Sequence, residues 1–167
     1  QWQEVRATVE QNPAVVSISP VIQAIGVAAA QGSHKGVVIN GIDAALEAES
    51  SAINRFMRAG DLKALIDNRW GVVLGQTLAN RLGVDLGDNV DLFSTSISVN
   101  PITPLATFKG FDVVGIYRVG AQELDANLVM INLSAARALF RLRTPYNAVH
   151  IRTVDVLQAE IVRAQLM

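Results

Sequence analysis

Apolar positions along the chain follow two rhythms, helical and alternating, that change over at recognisable breakers. In 1–12, Trp2, Val5 and Val9 recur at helical spacing with polar residues between them, and Asn12-Pro13 ends the run. β-branched residues then dominate: Val15, Val16, Ile18, Val21 and Ile22, and later Val37, Val38 and Ile39. Pro20, Gly26 and the polar run Gln31-Gly32-Ser33-His34 interrupt them. The pattern predicts three strands, over 14–19, 23–30 and 35–42, the last two joined as a hairpin through 31–34.

The stretch 43–69 reads as a connector. Asp43 is placed to cap a helical turn through Ala45, Leu46 and Glu47, Ile53, Phe56 and Met57 are helically spaced, and Gly60-Asp61 breaks the run before Leu62 and Leu65. The clearest local signal lies in 70–94. Trp70-Gly71-Val72-Val73-Leu74-Gly75 predicts a buried strand, Leu78, Ala79 and Leu82 share one face of a short helix, and Gly83 suits a left-handed cap. Gly87-Asp88 predicts a tight turn before an alternating strand over 89–93.

Residues 94–107 read STSISVNPITPLAT, uncharged, with Pro101 and Pro104 set among alternating Ser, Thr, Val and Ile. This predicts a projecting hairpin whose prolines resist ladder pairing. Further strands are predicted over 108–118, 128–131 and 148–152. Glu123 and Asp125 fall in a loop, Asn132 caps a helix over 133–142, and Thr153 caps a last helix striped by Val154, Leu157, Ile161 and Ala164. The order of elements predicts an α+β fold rather than a continuous nucleotide-binding βαβ alternation.

With 167 residues, half of them hydrophobic and 17% charged, the chain has enough apolar material for one well-filled core. The net charge of -1 gives no single-sign field to gather nucleic acid or anionic lipid, so nucleic-acid binding is not expected. There are no cysteines, which excludes disulfides and thiolate metal sites. No apolar run reaches the roughly 20 residues that a membrane-spanning helix needs.

The inventory for catalysis is thin. His34 falls in a turn and His150 on a strand, and neither belongs to an HxxxH or HExxH pattern. Asp85, Asp88 and Asp91 recur every third residue but lack the spacing and closing glutamate of a calcium loop. An acid–base enzyme site assembled from Glu123, Asp125 and His150 is the alternative; a solvated loop is the plainer account of the two acids. Phosphate-binding glycine patterns are missing. By elimination, a binding, structural or force-transmitting domain without cofactor or metal is expected.

One block carries a resemblance. The run 73–90, VLGQTLANRLGVDLGDNV, is similar to an LGxxLAxxLGxxxGD signature. Phe111-Asp112-Val113-Val114-Gly115-Ile116-Tyr117 resembles the strand that follows it, and 128–131 and 133–139 match the next strand and helix. Val15 to Val21 and Val38-Ile39-Asn40-Gly41-Ile42-Asp43 resemble the opening strands. The family is the periplasmic domain of lipoprotein-releasing ABC transporter permeases, within the macrolide-exporter-like superfamily.

The resemblance implies a single periplasmic domain over 1–167 of a bacterial inner-membrane protein, with no enzymatic activity of its own. It implies a β-rich part (14–42 with 95–118) and a mixed α/β part (71–90 with 127–165). The helices at 1–11 and 154–165 would run toward membrane spans outside this chain. The proline segment would be a hook, formed by Ile97, Val99, Asn100, Pro101, Ile102, Thr103, Pro104 and Leu105, that docks a soluble periplasmic lipoprotein chaperone. Implied partners are a second permease subunit, a separate cytoplasmic ATPase and the lipoprotein substrate. An exporter- or secretion-type permease domain that docks an adaptor protein is the alternative within the same superfamily.

Overall fold

The computed structural model describes residues 3, 4, 7, 8 and 11, then 15–50, 52–94, 107–144 and 146–153. In chain order the elements are β1 (Val15–Ala30), β2 (Ser33–Ile42), α1 (Ala44–Ser50), a 3-10 turn (Ala52–Phe56), β3 (Met57–Gly60), α2 (Ala64–Asp67) and β4 (Gly71–Gly75). There follow α3 (Gln76–Leu82), β5 (Asn89–Ser94), β6 (Phe108–Tyr117), α4 (Gln122–Asn127), β7 (Leu128–Asn132), α5 (Leu133–Phe140) and β8 (Ala148–Thr153). Of the expected N-terminal helix, Gln3, Glu4, Ala7 and Thr8 are helical and exposed; the expected helix at 154–165 lies outside the described residues.

Several local signals hold. Gln31 and Gly32 have φ of 51° and 77°, the two positive angles that a two-residue hairpin turn of type I′ requires. Asp43 Oδ1 accepts from the Leu46 amide at 3.2 Å. Gly83 ends α3 in the left-handed conformation, φ 68°. Asn132 accepts from the Ser134 amide at 2.9 Å and starts α5.

The eight strands join in one sheet. β2–β7 and β4–β6 are parallel, and the remaining pairs are antiparallel. Because β1 pairs with both β2 and β5, the path β1-β2-β7-β4-β6-β5 returns to β1 and forms a closed circuit. Closure of this kind leaves few open edges. Strands from both parts implied by the resemblance pair in it, β2 beside β7 and β6 beside β4, the latter with a register shift between Val72 and Val73.

Inside the circuit, Ile22, Ile39, Leu74, Leu92, Phe111 and Ile131 pack with Leu78 and Leu82 of α3 and Ala135, Ala136 and Leu139 of α5. On the outer side a second core joins Val21, Ile42, Val73, Tyr117 and Met130 to Leu62 and Leu65 of the connector. Burying each large apolar side chain contributes about 1.5–3 kcal/mol, which is why the amphipathic helices and the connector dock where they do.

Three expectations are corrected. Pro20 and Gly26 do not break the first strand; 14–19 and 23–30 are one strand, β1. The amide and carbonyl of Gln23 bond the Asn147 side chain, and the Val21 carbonyl accepts from the Asn147 amide. Odd-numbered residues of β1 therefore address the β8 edge, and the Pro20 nitrogen faces the β2 edge. There the ladder has already ended, at Val21 opposite Ile42, so no donor is lost. At Gly26 a Cβ would lie 2.5 Å from both Ile39 Cδ1 and the Phe93 carbonyl oxygen, so glycine marks a close approach of three strands rather than a turn.

The connector holds a strand, β3, where helical spacing was expected, because 57–60 finds a ladder partner in β6. The expected loop around Glu123 and Asp125 is the helix α4. It settles against the start of α3, where Gly75 has no side chain to obstruct it: a Cβ there would lie 2.1 Å from the Asp125 carbonyl oxygen.

Candidate docking surface

The segment expected to dock a partner lies in the sequence between two adjacent antiparallel strands. β5 and β6 pair from Asn89 opposite Asp112 to Phe93 opposite Phe108. The ladder continues one step further, with the Ser94 amide donating to the Thr107 carbonyl at 2.8 Å. Ser94 and Thr107, the described residues on either side of 95–106, are thus a hydrogen-bonded pair at the end of β5 and β6, the hairpin base. Ile97, Val99, Asn100, Pro101, Ile102, Thr103, Pro104 and Leu105 lie outside the described residues.

That base is held on both faces. Neighbours along a strand point to opposite sides. Phe93 and Phe108 face outward, their rings stacked at 5.2 Å with an interplanar angle of 23°. Ser94 and Thr107 face inward; Ser94 is buried, and the Thr107 hydroxyl donates to the Leu139 carbonyl of α5 at 2.6 Å. Val27 of β1 lies directly across from Phe93, and Ile25 is two residues further along the same face. Ile25 and Phe108 are 68% and 62% exposed, so the outer wall beside the hairpin base is an apolar strip. Sequence reasoning missed this clasp, although the phenylalanines flanking the uncharged segment were a signal for it.

An open groove of about 320 Å³ lies at the N-terminal end of α5, lined by Asp43, Ala44, Ile66, Asn132, Ser134 and Arg137 among others. Asn132 ties α5 to the connector, donating through Nδ2 to the Leu65 carbonyl at 3.1 Å.

The residues weighed for acid–base chemistry are not arranged for it. Glu123 is exposed on α4. Asp125 is buried, and both its oxygens are used within the chain: Oδ1 accepts from the Val119 amide at 2.8 Å and Oδ2 from the Gly120 amide at 3.0 Å. His150 is on β8, in register with Ser19 of β1, whereas α4 packs on α3, β2 and β4. His34 follows the β1–β2 turn and is exposed. Asp85 and Asp88 form a turn, with the Asp85 amide donating to Asp88 Oδ2 at 2.8 Å, and Asp91 sits on β5. Among the described residues no three His, Asp or Glu side chains converge as metal ligands.

Beside Asp125, Tyr117 is fully buried on the outer side of β6. Its hydroxyl shares its proton between the carbonyl oxygens of Leu124 at 2.9 Å and Leu128 at 2.7 Å. Burial, and secondarily the nearby charge of Asp125, raise its pKa well above that of an ordinary tyrosine. Tyr117 and Asp125 brace the connection between β6 and β7 through these hydrogen bonds.

The MacB-like periplasmic core domain model matches residues 1–167. The chain belongs to this family. The sequence is 26% identical over 166 residues to the lipoprotein-releasing system transmembrane protein LolC of Neisseria meningitidis serogroup B, covering 99% of this chain and 40% of that protein. It is 28% identical over 142 residues to LolC of Xylella fastidiosa (strain Temecula1), covering 84% and 34%. The domain thus spans about two fifths or less of the length of these curated relatives. In structure it resembles the extracellular domain of the noncanonic ABC-type transporter YknZ from Gram-positive bacteria. The TM-score is 0.61 at 13% identity, over 96% of this chain and 76% of the other. That likeness supports the fold alone. Among the described residues no helix is long and apolar enough to cross a membrane.

Proposed function

We propose that this MacB-like domain is the periplasmic part of an inner-membrane ABC permease that passes lipoproteins to a soluble periplasmic chaperone. The observation that carries the reading is the 26% identity to a lipoprotein-releasing permease over 99% of the chain. In this reading the domain catalyses nothing itself. It docks the chaperone through Ile97, Val99, Asn100, Pro101, Ile102, Thr103, Pro104 and Leu105, and relays motion driven by a cytoplasmic ATPase beneath a permease dimer.

Physical chemistry supports the need for close docking. Each CH₂ of an acyl chain drawn from the bilayer into water costs about 0.8 kcal/mol, so a lipidated substrate requires direct handover. A proline-containing, uncharged segment loses little conformational entropy on binding, and its backbone is suited to pairing with a partner's sheet edge. The apolar strip of Ile25, Val27, Phe93 and Phe108 lies at the base of that segment and would border the docked partner.

The test is capture of a purified periplasmic lipoprotein chaperone by this domain, with Pro101→Asp/Pro104→Asp in parallel. Capture by the unaltered chain and its loss in the double variant are expected. No capture by either chain overturns the docking reading. Undiminished capture after replacement of 97–105 removes the hook as the docking element.

A further inference from the structure

One end of the sheet circuit is crossed by α5 and rimmed by cations. The helix runs from the ends of β2 and β7, where a Cβ on Gly41 would lie 2.4 Å from Ala136 Cβ, to the hairpin base, where the Thr107 hydroxyl meets the Leu139 carbonyl. Ala135, Ala136, Leu139 and Phe140 form its buried face. Ser134, Arg137, Ala138 and the capping residue Arg141 are exposed on the other.

Two cations from elsewhere in the chain extend that outer face. Arg69 Nη2 donates to the Ser134 carbonyl at 3.4 Å, and its guanidinium carbon lies 4.8 Å from the centre of the Trp70 ring. Lys109 Nζ lies 4.6 Å from the same ring centre. The ring itself stands edge-on to Phe111 of the inner core at 5.8 Å, which fixes its position. Lys109, Arg69, Arg137 and Arg141 thus form a row assembled from three parts of the chain, with Trp70 in contact with the first two.

The row is not neutralised from within. Among the described residues none of the four makes an ion pair. Of the acids on adjoining segments, Asp112 accepts from Asn68 and Asn89, Asp43 accepts from the Leu46 amide, and Asp67 is exposed. Helix stability accounts for Arg137 and Arg141, whose charge suits the C-terminal end of the macrodipole. It does not account for Arg69, held at the opposite end, where a cation is disfavoured.

We infer that this face binds an acidic segment of a partner protein. A guanidinium offers its N–H groups in a planar fork that matches a carboxylate. Arg69 is already oriented by the Trp70 ring and the Ser134 carbonyl, so it loses little freedom on binding. Ile66, 52% exposed in the groove that Arg137 lines, adds an apolar contact beside the charges. Asp43 and Asp67 interrupt the face, which the spaced carboxylates of a protein can avoid and a uniformly anionic lipid surface cannot. The inference stands apart from the chaperone docking proposed above: a chain that takes an acidic peptide but captures no chaperone would lose that function and keep this surface.

The row carries its own reporter. Trp2→Phe leaves Trp70 as the only tryptophan, in contact with two of the cations. This chain is titrated with an oligo-glutamate peptide at about 0.01 M salt, where the Debye length is about 30 Å, and again at about 0.15 M, where it is about 8 Å. A saturable change in Trp70 emission is expected, with affinity about tenfold or more lower at the higher salt. Arg137→Glu/Arg141→Glu, which leaves the surroundings of Trp70 intact, should weaken binding by about tenfold or more. Arg55→Glu/Arg58→Glu, which changes the net charge equally at exposed sites on the connector, should leave it unchanged. Thermal unfolding confirms that each variant is folded. Absence of binding to the unaltered row, by emission and by calorimetry, overturns the inference, as does equal weakening by the two double variants. Binding to phosphatidylglycerol vesicles without binding to the peptide overturns it in favour of a membrane surface.

Discussion

Replacing Tyr117 by Phe removes a single oxygen from one of the largest fully buried side chains. The ring remains, so no cavity opens, and the cost is the lost hydrogen bonding. The hydroxyl is within bonding distance of two carbonyls, Leu124 and Leu128. The Leu124 carbonyl keeps the Leu128 amide as a partner, so the main loss falls on Leu128. Leaving a buried acceptor under-satisfied costs about 1–3 kcal/mol. For a domain of this size each kcal/mol lowers Tm by about 2–4 °C. Urea unfolding at neutral pH should give a lower midpoint with an unchanged m-value.

The alkaline limb supplies an independent sign. The folded pKa of Tyr117 is raised, so above the ordinary tyrosine pKa of about 10 the unfolded chain releases this proton while the folded chain retains it. Stability contributed by the neutral phenol is therefore whole below that pH and declines as pH rises toward the folded pKa. The wild-type chain should lose stability with increasing pH in this window, and Tyr117→Phe should lose less. A variant within about 0.5 kcal/mol of wild type at neutral pH, with an alkaline slope parallel to it, would refute the reasoning.

Two further outcomes follow from the same region. Gly75→Ala places a methyl group 2.1 Å from the Asp125 carbonyl oxygen, backbone that cannot swing aside, and should destabilise by about 1–3 kcal/mol or more. Gly36→Ala, with nothing within 4 Å of its Cβ, should leave the melting temperature nearly unchanged, and equal melts for the two variants would contradict the packing argument. Asp125→Asn replaces a carboxylate that accepts two amides by a group with one acceptor oxygen, and should cost about 1–3 kcal/mol. Hydrogen exchange at Val119 and Gly120 should accelerate; unchanged protection there would show that the turn is held by something else.

Where the chain makes a decision within a few residues, that decision was readable in one dimension. Gly83 had to follow a short amphipathic helix because it takes a φ of 68°. Asn132 could be read as a cap because its side chain needs only the amide two residues on. The block 73–90 carried the resemblance because its glycines and leucines fall within one unbroken run, β4–α3–β5, that can be read from consecutive residues. The residues proposed for docking were named from the same resemblance, and their chemistry was readable as an uncharged run around two prolines.

Other features depended on partners far along the chain. Pro20 and Gly26 have the composition of breakers, and only the end of the β2 ladder and the approach of Phe93 make them strand residues. β3 is a strand because β6 offers it an edge, and α4 forms beside a glycine some 50 residues earlier. Asp125 was an acid in search of a reaction until the fold turned two amides toward it. The link from Thr107 to Leu139 spans 32 residues and passes over β6, α4 and β7. Helix caps and tight turns are settled by interactions spanning a few bonds, so the order of residues determines them. Strand pairing, close backbone approach and the satisfaction of buried polar groups are settled by whatever the folded chain brings alongside, and those only the tertiary structure decided.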